Sequence, residues 1–421
     1  MRPSNPWMLA ALVCLPVMSL APRTHAQSRE RVLYAFESAP DCGNLSEAPL
    51  IADAKGNLFG TAAQGGENKQ GCIFEMSPSQ TGWRESVLYS FSGPDGRNPS
   101  AALVFDKDGN LYGTAYGGGY DAGVAFELSP STDGTWTETV LHNFGSEGDG
   151  AGPKCNLIFD GEGNLYGTTN GGGAYNNAGT VFELSPSTGG WTETVLYSFQ
   201  GGINGPGAVI PTGGLAMDSE GRLHGAAYSG GEYGEGAVFE LVPSSAGGYT
   251  EKIIHSFYGT DGANPSSLAM DRSGNLYITT AYGGSPNWYG AVTELIREGD
   301  GSWGENILHR MNGNDGCYVV GPAVFDDAGD LYAAAQTCAI GGMGSVFMLT
   351  PTETGPWAES VLHRFDFRFP NGEDGEQPYA GVLFRAGKVF GATSGGGSYD
   401  EGIVFEITPP ADSPNGSGEK P

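Results

Sequence analysis

The sequence predicts an all-β protein, a seven-bladed β-propeller of four-stranded antiparallel blades. Three observations predict it. A turn glycine followed by an apolar strand recurs seven times, at Gly56, Gly109, Gly163, Gly221, Gly274, Gly329 and Gly387, with spacings of 53, 54, 58, 53, 55 and 58 residues. Each copy carries four short β-type runs punctuated by Gly, Pro, Asp and Ser, and no window keeps a helical period. The two ends are complementary: "RVLYAF" from Arg31 is a fourth strand lacking its first three, and "GIVFEITP" from Gly402 is a third strand lacking its fourth. The N-terminal strand is therefore expected to join the last blade and close the ring, removing an exposed sheet edge.

The elements follow in order. Residues 1–26 read as a secretory signal peptide: Arg2, an apolar stretch from Trp7 to about Ala21, and small residues ending at Ala26. The propeller is expected over 31–408 and a disordered polar tail over 409–421. Within a unit, "SAALVFD" from Ser100 is the first strand and "NLYGTAY" the second, across a tight turn. "GVAFELSPS" from Gly123 is the third, after a glycine-rich loop, and "TWTETVLHNF" from Thr135 the fourth. Mid-strand glycines such as Gly113 and Gly167 suggest a close sheet-to-sheet approach.

Composition agrees with this reading. There are 71 glycines, yet aromatics reach 11%, which separates a turn-rich fold from a disordered chain. The net charge of −28, without a basic run, excludes nucleic acid as a partner. No later segment is apolar enough for membrane insertion. A monomer, secreted or periplasmic after cleavage, is expected.

The unit "GNLYGTTNGGGAYNNAGTVFELSPSTGGWTETVLYSF" resembles the GloVer-type tandem repeats of bacterial choice-of-anchor proteins. The resemblance spans nearly the whole chain after residue 26. It implies an exported bacterial propeller and implies no established activity. The tail "PPADSPNGSGEKP" departs from the family by lacking a hydrophobic sorting anchor, so free secretion is the expectation.

Repetition helps to sort the candidate sites. A residue present in every blade is spread round a ring and reads as framework; one that breaks the repeat is the better functional candidate. His142, His255, His309 and His363 share one slot with Tyr34, Tyr89 and Tyr197, so they read as packing residues at the rim. His224 stands alone in a Tyr/Phe slot and reads the same way. Asp53, Asp106, Asp160, Asp218, Asp271 and Asp326 end first strands before a turn, Arg385 taking that place in the seventh unit, and read as acceptors for turn N–H groups. A second set, Asp95, Asp149, Asp261, Asp315 and Asp374, precedes a glycine in the connections; calcium is the one cofactor left open, on this carboxylate ring. The calcium-loop, phosphate-loop and serine-nucleophile patterns are all absent.

The loops between second and third strands vary and should share one end of the ring with the connections. Several carry an aromatic beyond the glycines: Tyr120, Tyr175, Tyr233, Trp288, Tyr289 and Tyr399. Aromatics among Asn, Asp and Glu suit sugar stacking, so these are the candidate ligand-binding residues. Disulfides are expected at Cys42–Cys72 and Cys317–Cys338, with Cys155 free. Two further departures are "INGPGAVIPTGG" from Ile203 and "RFDFRFPNGEDGEQP" from Arg364; the second holds Arg364 and Arg368 and reads as a closure strap beside the seam. The reading is a binding module for an extracellular glycan or surface protein. A polysaccharide lyase or hydrolase with its site in the central funnel is the first alternative, and a structural matrix protein the second.

Overall fold

The computed structural model describes residues 28–44, 48–201, 205–245, 247–284, 286–353, 355–366 and 374–410. The signal-peptide and tail assignments, with Arg368, fall outside them. Among the described residues there is no helix, and seven antiparallel blades form a ring. Blade 1 runs from Ile51–Ala52 to Gly82–Ser90, and blade 2 from Arg97–Pro99 to Trp136–Asn143. Blades 3 to 6 end on Gly190–Ser198, Tyr249–Ser256, Trp303–Arg310 and Ala358–Arg364. Blade 7 comprises Val382–Arg385, Lys388–Ala392 and Ile403–Thr408, completed by Arg29–Ala35. The register of that last pair runs from Arg29 opposite Thr408 to Ala35 opposite Ile403, so the N-terminal strand closes the ring.

Two local details differ from the sequence reading. The first strand of blade 2 is not one run from Ser100. It pairs as Arg97–Pro99 and Val104–Phe105, with the chain between them off the ladder. Pro99 has no N–H to give, and the Ala102 N–H donates instead to the Asn156 side chain of blade 3, 2.7 Å away. The mid-strand glycines answer to contacts inside one blade. A Cβ on Gly113 would meet Phe126 Cζ at 2.7 Å and Leu103 Cδ2 at 3.0 Å. Phe126 is the cross-strand partner of Gly113, and its ring fills the missing side chain's space. Blade 5 solves the same problem in reverse, pairing Ile278 with Thr293.

The outer strands share one further device. In all seven blades the register between third and fourth strands slips by one residue, as between Val140 and His142. A bulge of this kind re-aims side chains. Leu141, the extra residue, packs into the core, and His142 turns toward the connection leaving the blade.

Candidate functional site

The glycine-rich loops and the blade-to-blade connections lie at one end of the ring and are tied together there. Gly66 N–H donates to Asp41 O, Gly119 to Pro94, Gly173 to Asp149, Gly231 to Gly207, Gly284 to Gly259 and Gly397 to Asp374. Each connection then turns sharply toward the axis through a left-handed residue. These are Asn98, Gly152, Ile210, Asn264, Tyr318 and Gln377 in blades 2 to 7, the non-glycine ones with φ between 50° and 60°. A β-branched Ile210 at φ 59° is held against its own preference. The restraint is a backbone hydrogen bond from the preceding blade's loop, Ile210 N–H to Ala178 O at 3.0 Å and Tyr318 N–H to Tyr289 O at 2.8 Å.

This turn delivers a funnel on the axis. One cavity of about 320 Å³ is lined by residues from every blade: Pro49, Ser100, Lys154, Thr212, Ser266, Val320 and Tyr379 mark the seven in order. A second, of about 520 Å³, shares Ser100, Lys154, Asn170 and Tyr379 and adds Asn44, Asn98, Tyr116, Gln377 and Ser394. These volumes are in the range of small-molecule sites. The lining on blades 7, 1, 2 and 3 is mostly amide and hydroxyl, with the Lys154 ammonium in both cavities and Pro49 and Ala63 on blade 1; it is more apolar on blades 4 to 6, where Ile210, Tyr228, Ala281 and Val320 stand. Among the described lining residues there is no Asp, Glu or His. Burial raises the Tyr228 phenol above its ordinary range, with the neighbouring Tyr282 phenol adding to it.

The sequence reading places a central funnel only in the enzyme alternative and assigns no residue to it. Its signal lay at the end of the second strand, just before the glycines: Ala63, Tyr116, Asn170, Tyr228, Ala281, Gln336 and Ser394 occupy one column and agree poorly. All but Gln336 line the cavities. The nominated loop aromatics do not line them. Tyr120, Tyr175, Tyr233, Trp288 and Tyr399 are exposed, while Tyr289 is half-buried against Gly313 in the next connection. Tyr120 lies over Gly145, and Tyr399 hydrogen-bonds Glu37. Two of them reach one connection: Tyr233 packs edge-on to Tyr258, at 5.9 Å between ring centroids, and Trp288 lies over the adjacent Gly259. Arg364 donates to the Asn314 carbonyl in the preceding connection, at 3.2 Å.

The rim holds most of the residues that look chemical. Six of the seven seams join an outer-strand Tyr or His, a connection Asp, and a Glu from the next outer strand. Tyr34 donates to Asp41 at 3.1 Å and Tyr89 to Asp95 at 2.6 Å. His142, His255, His309 and His363 meet Asp149, Asp261, Asp315 and Asp374 at 2.8–3.2 Å. The seam after blade 3 has no Asp, and there Glu251 itself accepts from Tyr197 and from the Ala208 N–H. Because Tyr and His fill one slot interchangeably, the slot requires a hydrogen bond to the carboxylate and not a metal-ligating nitrogen. In three seams, including His142–Asp149–Glu193, ligand-type atoms lie within 4.8 Å of one another. Their His and Asp are already paired with each other.

The seam glutamates are half-buried. Burial pushes Glu85 up to about 8, helped by the negative charge of Asp41 beside it. Burial and Asp95 push Glu138 up to about 7, and burial and Asp149 do the same to Glu193. Burial acts against Asp95 too, but hydrogen bonds from Tyr89 and Ser92 outweigh it and hold its carboxyl below the usual range.

At the opposite end of the ring the turn aspartates behave as the sequence suggests. Asp106 accepts from the Asp108 and Asn110 N–H groups, the Asn110 amide and the Tyr112 hydroxyl, at 2.8–3.2 Å. Arg385 does something the sequence did not disclose: its guanidinium donates to the Asp53 and Ala54 carbonyls, stapling blade 7 to blade 1. In blade 4, Arg222 replaces Asn and bridges Asp218 and Glu240, and His224 is buried beside Trp303. Cys42 is bonded to Cys72 and Cys317 to Cys338, and Cys155 is free and buried.

The profile of the Gloeobacter/Verrucomicrobia repeat matches residues 19–216 and 210–415, nearly the whole chain. The chain belongs to this repeat family. No curated protein matches it. Among solved structures, it is similar to an extracellular domain assigned to a one component system of B. thetaiotaomicron. Identity is 9% and the TM-score 0.52, over 90% of this chain and 40% of that one. The repeat protein thus spans less than half of that neighbour's length, and the likeness is one of fold. A protein of unknown function from Dyadobacter fermentans aligns with a TM-score of 0.42 and 14% identity, over 79% of this chain and 97% of that one. No helix among the described residues is long and apolar enough to cross a membrane.

Proposed function

We propose that this repeat protein is an exported binding module whose axial funnel takes a hydroxyl-rich ligand, a glycan in the first instance. The observation that carries the reading is where the repeat fails to repeat. Strands, turns and seams recur blade after blade, while the funnel positions differ in almost every blade and converge on one cavity. Asn98, Asn170 and Gln377 supply paired donors and acceptors, Ser100, Thr212 and Ser266 supply hydroxyls, and Tyr116, Tyr228 and Tyr379 offer flat apolar faces with polar tips. That mixture matches a sugar, which has an apolar face and a hydroxylated edge. Export is supported by the leader-like N-terminus and the fold neighbour's extracellular setting.

A hydrolase is the weaker reading. Glycoside hydrolysis uses a pair of carboxyl groups flanking the bond, and the described funnel lining offers none. The test is a glycan array probed with the full chain, with and without calcium, beside an Asn170→Ala/Tyr379→Ala variant. Saturable signal lost in the variant supports the reading. A flat array, or signal indifferent to the axial variant, overturns it.

A further inference from the structure

We infer that the bound ligand is a chain of several sugar units, which leaves the funnel across blades 4 and 5 and stacks on an aromatic patch formed by Tyr233, Tyr258 and Trp288. This rests on the reading that the funnel takes carbohydrate.

The patch is a local feature of one sector. No ring pair is described for Tyr120, Tyr175 or Tyr399, whereas at the seam between blades 4 and 5 Tyr233 pairs with Tyr258 and Trp288 reaches the adjacent Gly259. Tyr233 is 56% exposed, Tyr258 50% and Trp288 45%. Tyr233 and Tyr258 meet edge to face. Trp288 lies with its six-membered ring about 3.4 Å from where a Cβ on Gly259 would sit, in van der Waals reach of this connection. Trp288 holds a left-handed backbone at φ 59°, a conformation a bulky residue adopts only where its surroundings impose it. Three large rings kept half in water have no folding reason to be there.

Continuity with the funnel identifies the occupant. Tyr228 lines the axial cavity, and Tyr282 is close enough to perturb its phenol. Tyr282 packs against Tyr318, at 4.9 Å between centroids, on the turn that aims into the mouth. Tyr282 and Trp288 belong to one loop, Tyr282 at its inner end and Trp288 resting on the connection from blade 4. Aromatic surface therefore runs outward from the axis on the apolar side of the funnel through Tyr228, Tyr282 and Tyr318; on the amide-lined side Tyr116 and Tyr120 are exposed on one loop, with no described ring pair between them. A protein partner needs about 800 Å² of surface from each side, far more than three half-exposed rings provide. A sugar chain needs one flat apolar face per stacked unit.

The test is an affinity series on the full chain with neutral cello-, malto-, xylo- and manno-oligosaccharide ladders of two to six units. In the ladder that binds, affinity is expected to rise about tenfold from two units to six. The Tyr258→Ala/Trp288→Ala variant should abolish that rise and leave the two-unit affinity within about twofold of the unsubstituted protein. A ladder bound with no dependence on length overturns the inference and leaves the funnel reading standing. A rise with length that survives the double substitution also overturns it, and leaves these aromatics to a protein partner. Failure of every ladder to bind removes the funnel reading and this inference together.

Discussion

The rim and the axis of this propeller use opposite materials. The rim carries His, Asp, Glu and Tyr in close hydrogen-bonded groups, residues that in a single-copy setting suggest catalysis or a metal. They occur at seam after seam, and Tyr substitutes for His without disturbing the arrangement. The axis carries Ser, Asn, Thr, Val and Tyr, which attract no notice individually, yet they vary from blade to blade and meet in one cavity. In a repeat protein, residue chemistry alone is a poor guide to the site. Departure from the internal consensus, together with spatial convergence, is the better one.

Asp261→Ala gives the largest effect that would sharpen this contrast. Asp261 is fully buried between His255 and the Tyr258 N–H, and its loss leaves both without their acceptor. Unfolding free energy should fall by about 3–5 kcal/mol, seen as a lower midpoint in thermal or denaturant melts. Asn170→Ala in the funnel should change stability by less than about 0.5 kcal/mol. Similar losses at both positions would break the contrast.

Next in size is Gly113→Ala. Its methyl group would strike Phe126, and the overpacking should cost about 1–3 kcal/mol. The double change Gly113→Ile/Phe126→Thr copies the pairing of blade 5, and should recover part of the stability that Gly113→Ile alone loses. A double variant no more stable than the single one would show that the blades are not interchangeable in this respect.

The third effect is on pH dependence. Glu85, Glu138 and Glu193 have folded pKa values above their unfolded ones, so the folded state binds protons more tightly. Their contribution to stability is complete in acid and is lost as pH rises through about 7 to 8. The melting midpoint should therefore rise as pH falls from 8.5 to 5.5, and a Glu85→Gln/Glu138→Gln/Glu193→Gln variant should show a shallower slope. An unchanged slope would remove these glutamates from the account. Smallest is Tyr89→Phe, which deletes one hydrogen bond to Asp95 and should cost about 1 kcal/mol by denaturant melts. Tyr89→His, mimicking the other seams, should cost less.

Much of this architecture is legible in the sequence because every blade solves the same problem. Strand order, ring closure, the end at which the variable loops lie, and the Asp-centred turns all follow from comparing seven copies. What escaped depends on packing between copies. That Ala102 takes its hydrogen-bond acceptor from Asn156, 54 positions away, cannot be read from either segment alone. The funnel column is present at Tyr116 and Asn170 but reads as the first letter of a loop; that Tyr116 packs over Gly152 in the next connection is a contact between blades that one copy does not reveal. The loop aromatics stand out by residue type, and Tyr233 and Trp288 reach one connection, at Tyr258 and the adjacent Gly259, which carries no repeat signal of its own.

Titration calorimetry of the best glycan from the array, against the full chain, an axial Asn170→Ala/Tyr228→Ala variant and a rim Tyr89→Phe variant, tests the central claim most directly. The account predicts that affinity falls at least about tenfold in the axial variant and stays within about twofold in the rim variant, both remaining folded by melting. Binding that survives the axial change, or that disappears with the rim change in a folded protein, would contradict it.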